Sequence, residues 1–100
     1  MYTYTTPTIT CRLRGADFTG LAFVRIAIRG NGPKIIREVP LADIDTEEGT
    51  TVIRLSQEET AALGSGKATI QARLRYNDGT VVPTTKVTKQ VDEIIDKVVI

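Results

Sequence analysis

Residues 67 to 76 alternate without a break: Ala68, Ile70, Ala72, Leu74 and Tyr76 are apolar, and Lys67, Thr69, Gln71, Arg73 and Arg75 are polar. A period of two marks a strand with one face on a core and one in water. The same rhythm recurs in weaker form along the chain. Ile9, Cys11 and Leu13 alternate with Thr8, Thr10 and Arg12, which predicts a strand over 8–13. Ala22, Val24, Ile26 and Ile28 alternate with Phe23, Arg25, Ala27 and Arg29, predicting a second over 22–29. Gly30-Asn31-Gly32-Pro33 then turns the chain into a third strand over 34–39. Gly and Asn tolerate positive φ and Pro fixes its own, so this is a hairpin between antiparallel neighbours.

Thr51, Ile53 and Leu55 predict a fourth strand over 51–55. Ser56 with Glu59 three residues on is a capping box, in which each side chain satisfies the other's backbone N–H. It opens a short helix over about 56–63 that Gly64 ends. Asn77-Asp78-Gly79 predicts another hairpin turn, with the returning strand over about 80–91. Pro83 removes a ladder donor near its start, so an edge or bulged section is expected there. On the returning strand Thr85, Val87, Lys89 and Val91 share a face. In 92–100, Ile94, Ile95, Val98 and Val99 recur at helical spacing, while their β-branching favours extended chain. A short helix or turn leading to a final extended piece is the expectation.

Six or seven short strands, tight turns and one short helix predict an all-β, antiparallel, immunoglobulin-like β-sandwich. The 100 residues suit a single domain, 1–100. The inward faces supply a core of Ile9, Leu13, Val24, Ile26, Ile28, Ile53, Leu55, Ile70, Leu74 and Val87.

Composition narrows the chemistry. There is no histidine and one cysteine, which excludes His-based catalytic triads, His-containing zinc sites and an internal disulfide within this chain. Cys11 reads as a small buried hydrophobe. Asp43, Asp45, Glu47 and Glu48 crowd one loop, but Gly49 comes too late for a calcium-loop pattern, so the loop reads as solvated and no metal is expected. Gly64-Ser65-Gly66-Lys67 lacks the spacing and the following helix of a phosphate loop. No cofactor and no enzymatic activity are expected.

Arg12, Arg14, Arg25, Arg29, Arg73 and Arg75 lie on strands, but the net charge is only +1 and Phe23 is the one aromatic beside them. Nucleic-acid binding needs more charge and more stacking surface, so none is expected. No apolar run is long enough for a membrane span, and the N-terminal residues do not form a secretory signal. Met1 fits the start of an open reading frame, and the chain is expected to be made in a reducing cytoplasm.

The run Leu55-Ser56-Gln57-Glu58-Glu59-Thr60, then Gly66, Ile70-Gln71 and Arg73, then Tyr76-Asn77-Asp78-Gly79-Thr80, follows an opening Tyr4-Thr5-Thr6-Pro7-Thr8 and precedes an apolar tail. In that order these motifs resemble short proteins from the tail regions of phages and prophages of Gram-positive gut bacteria. They are also similar to the small N-terminal sandwich domain of phage baseplate upper proteins. The resemblance spans most of the chain, and the second strand and acidic loop match poorly. It implies a virion structural protein of the tail or baseplate, or an adaptor there, with other tail subunits as its expected partners and copies of itself as a further candidate. The apolar C-terminus supplies the candidate contact residues Ile95, Val98, Val99 and Ile100. The alternative is a free-standing adhesion or carbohydrate-binding β-sandwich module.

Overall fold

The computed structural model describes residues 1–13 and 15–100; Arg14, one of the strand arginines above, lies outside them. Seven strands form two antiparallel sheets. They are β1 (Thr8–Arg12), β2 (Leu21–Arg29), β3 (Ile35–Pro40), β4 (Thr50–Arg54), β5 (Gly66–Tyr76), β6 (Val81–Pro83) and β7 (Val87–Val91), with α1 (Gln57–Leu63) between β4 and β5. The larger sheet runs β3-β2-β5, and β5's other edge carries β6 along one half and β7 along the other. The smaller sheet is β1 paired with β4 alone. One hydrophobic cluster joins both sheets, so the architecture is an all-β sandwich. What it shares with an immunoglobulin domain is the pair of packed antiparallel sheets.

Nine of the expected core residues are buried as expected, from Ile9 on β1 to Leu74 on β5. Val87 is not: it is 49% exposed. Its position opposite Ile70 puts it on the core face, but no described strand of the smaller sheet lies over that part of the larger one. At the start of β2 the register shifts between Leu21 and Phe23. This bulge carries Leu21 into the core and leaves Ala22 half-buried, where simple alternation places Ala22 inside.

The returning strand is broken in two. Pro83 cannot donate, and Thr84 repairs the ladder with its side chain. The Ala72 N–H donates to Thr84 Oγ1 at 3.0 Å, while the Thr84 N–H donates to the Ala72 carbonyl at 2.9 Å. β7 then resumes against the first half of β5. Its far end is closed by the N-terminus: the Asp92 N–H donates to the Met1 carbonyl and the Thr3 N–H to the Asp92 carbonyl.

The capping box forms as read. Glu59 N–H donates to Ser56 Oγ at 3.1 Å, and Ser56 N–H donates to Glu59 Oε1 at 2.9 Å. The helix's other end rests on the β2–β3 turn, whose Asn31 N–H donates to the Leu63 carbonyl at 2.9 Å. Residues 93–100 contain neither helix nor strand, so the helical spacing of Ile94, Ile95, Val98 and Val99 does not become a helix. Two β-branched pairs with Asp96 and Lys97 between them are too few, and too poor as helix formers, to nucleate one.

Candidate interaction surface

The two sheets differ in width, and the surface follows from that. β1 has β4 on one edge and no described ladder on the other. Leu13 N–H donates to the Gly49 carbonyl and Leu55 N–H to the Pro7 carbonyl, so odd-numbered residues of β1 bond to β4. By alternation, the backbone groups of Thr8, Thr10 and Arg12 point to the free edge. Below that edge the larger sheet continues into β6 and β7. Val82 lies opposite the buried Leu74, hence on the core face, yet it is 43% exposed. Val82 and Val87 are core-face residues of a sandwich that lacks a strand above them.

The gap is a cleft of about 620 Å³. Its inner walls are Ile9 and Cys11 from β1, Leu13 just beyond it, and Ile70, Ala72 and Leu74 from β5. Val82, Thr85 and Val87 form its outer side, and the charged residues among those described there are Arg12, Asp17 and Lys89. One end is held by the 15–20 connection, where the Tyr76 hydroxyl donates to the Asp17 carbonyl at 2.6 Å. Cys11 is half-buried here, and burial raises its thiol pKa above the ordinary value. It is a free thiol held protonated, consistent with a packing role.

The sequence-predicted contact residues fall elsewhere. Ile95 and Ile100 are almost wholly exposed, at 103% and 96%, and Val98 and Val99 are exposed as well. The tail is fastened to the helix by one residue. Ile100 N–H donates to Gln57 Oε1 at 2.8 Å, and Gln57 Nε2 donates to the Ile100 carbonyl at 2.5 Å. Lys97 pairs with Glu93 at 2.7 Å, which lowers the glutamate's pKa and raises the lysine's. The structure therefore presents two apolar features, the open cleft and the uncovered tail. Periodicity could find the second. The first depends on which strands pair, which no local pattern states.

The other candidate chemistry disperses. In the acidic loop Asp45 Oδ1 accepts from the Glu48 N–H at 3.1 Å, an internal turn contact. Among the described residues no three His, Cys, Asp or Glu side chains gather as metal ligands. On the outer face of the larger sheet Arg25 sits opposite Arg73, and Arg75 opposite Phe23. Arg25 Nη1 lies 2.6 Å from Glu38 Oε1, so a carboxylate offsets part of this charge. Arg37 pairs with the capping Glu59, and that pairing, more than its backbone and hydroxyl contacts to Ser56, lowers the Glu59 pKa. Of the aromatic residues only Tyr2 is exposed, and Tyr4, Phe18, Phe23 and Tyr76 are partly buried. Among the described residues no helix is long and apolar enough to cross a membrane. Comparison with protein-family models, with curated proteins and with solved structures gave no match to this chain.

Proposed function

We propose that this chain is a non-enzymatic structural subunit or adaptor of a phage tail or baseplate, acting through protein–protein contacts. The observation that carries the reading is unfinished burial. Val82 and Val87 lie about half exposed on a core face, and Ile95, Val98, Val99 and Ile100 are exposed on a C-terminal tail without helix or strand. Apolar surface of this kind lowers its free energy by association, at roughly 25 cal/mol per Å² removed from water. The phage part of the reading rests on the order of cap, turn and tail motifs, which resembles that of small tail proteins. Its partners are then neighbouring tail or baseplate subunits and further copies of itself, and its location is the virion.

The test is to raise antibodies to the chain and probe purified phage particles from a producing strain by quantitative mass spectrometry and immunogold labelling. A fixed copy number per particle, with label confined to the tail tip, is the expected result. Absence from particles, together with specific retention on a glycan array, overturns the proposal in favour of a free-standing carbohydrate-binding module.

A further inference from the structure

The cleft has the dimensions and the chemistry of a missing strand. We propose that it receives the C-terminal segment of a second copy of this chain, residues 93–100, laid as an added strand along the free edge of β1. The inference rests on the assembly reading above and names its mode of contact.

The free edge offers the main-chain groups of Thr8, Thr10 and Arg12 for a new ladder. An extended segment there lies over Val82 and Val87 and completes the second layer of the sandwich. The layers set what can enter. Sheets pack about 10 Å apart, so the edge strand of a folded domain brings its own second sheet to the level of β6 and β7 and collides with them. A free extended segment brings nothing beneath it. In this chain 93–100 is the C-terminal run without helix, strand or bridge. At about 3.3 Å per residue it spans the length of β1.

Composition and charge fit as well. The segment holds Ile94, Ile95, Val98, Val99 and Ile100, whose branching suits a strand over apolar walls. Its charges are Glu93, Asp96 and Lys97, a net negative set. Among the described residues, the cleft's charges are Arg12, Lys89 and Asp17, a net positive set. Among the described residues, the segment's end is held by the Gln57 contacts and its start is bent by the Lys97–Glu93 pair, all of them exposed, so they give way to water at little cost. Given and returned between the same two copies, the tail closes a two-fold pair; passed on to the next copy, it builds a ring or a filament.

Cys11 reports on the cleft, because an added strand covers it. The experiment combines light scattering with the rate of Cys11 labelling by a thiol reagent, each over a range of protein concentration. It uses the intact chain and three variants. Thr10→Pro removes an N–H that β4 does not use; Val82→Lys places a charge in the cleft on a half-exposed side chain; Val99→Asp does so on the tail. The intact chain should associate, with Cys11 labelling slowed at least tenfold in the associated form. All three variants should keep the circular dichroism of the intact chain, remain monomeric and label at the dilute rate. Should Thr10→Pro fail to fold, Val82→Lys decides, since its side chain is already half in water. A chain that stays monomeric, or one that associates with Cys11 labelling unchanged, overturns the proposal. Protection of Cys11 that survives Val99→Asp assigns the cleft to another occupant and equally overturns it. Association that persists in all three variants overturns the strand exchange alone and leaves the assembly reading to its own particle test.

Discussion

At the residue scale, three side chains show how local chemistry holds this sandwich. Ser56 and Glu59 satisfy each other's N–H groups, and Arg37 fixes the glutamate in place. Ser56→Ala should cost about 1 kcal/mol of stability, as a lost N-cap does, measured by urea unfolding. The Glu59 pKa lies below its ordinary value of 4.5, so its contribution is present above that value and fades as pH falls through the folded-state pKa. Glu59→Gln should therefore flatten the acid limb of the stability–pH curve, and an unchanged limb would contradict the role given to Arg37. Thr51 is a different case: its hydroxyl is buried without a hydrogen-bond partner. Thr51→Val keeps the shape, removes an unpaired polar atom and favours strand, so it should raise stability by about 1 kcal/mol. A loss on that substitution would show that the hydroxyl has a partner. The cap was legible from Ser56 and Glu59 alone, because a capping box is a contact within one turn. Thr60 was not. Its hydroxyl donates to the Thr5 carbonyl and accepts the Thr5 N–H, a clasp across 55 positions that no local pattern encodes.

At the element scale, strands were readable wherever alternation met a turn signal, as in β5 and the β2–β3 hairpin. Two places departed from pure periodicity, and both have a steric cause. A bulge shifts the phase at Leu21, and Pro83 splits the returning strand so that Thr84 must stand in for the ladder. Thr84→Val should loosen the β5 edge by about 1 kcal/mol and speed hydrogen exchange at the Ala72 amide, which loses its acceptor. The hairpin turn carries a further constraint. A Cβ on Gly32 would come within 2.2 Å of the Ala62 carbonyl oxygen, because the turn lies against the end of α1. Gly32→Ala should then cost about 1–3 kcal/mol by overpacking, and a neutral effect would mean that the turn and helix are not in contact. The turn residues announced the hairpin, but not the helix it supports. The tail belongs to this scale too: of the helix or turn expected there, the helix does not form, because a spacing of four is necessary for an amphipathic helix and 93–100 lacks the length to sustain one.

At the scale of the whole molecule, the unequal widths of the two sheets decide what is exposed. The identity of most core residues followed from alternation, including the inward face of β7. That Val87 faces inward and is still half in water follows only from strand order, since β1 and β4 do not extend over β6 and β7. The candidate contact residues of the tail were legible as an apolar run, and the cleft was not legible at all. The molecule measures 46 × 20 × 18 Å, elongated for its length. The central claim is that this incompleteness is relieved by assembly through the tail. Its most direct test is the solution mass of the intact chain, from dilute to concentrated, beside a chain ending at Ile95. The intact chain should rise from its monomer mass of 10.9 kDa to a defined oligomer, while the shortened chain stays folded and monomeric. Equal masses for the two chains at every concentration, or unfolding of the shortened chain, would contradict the account.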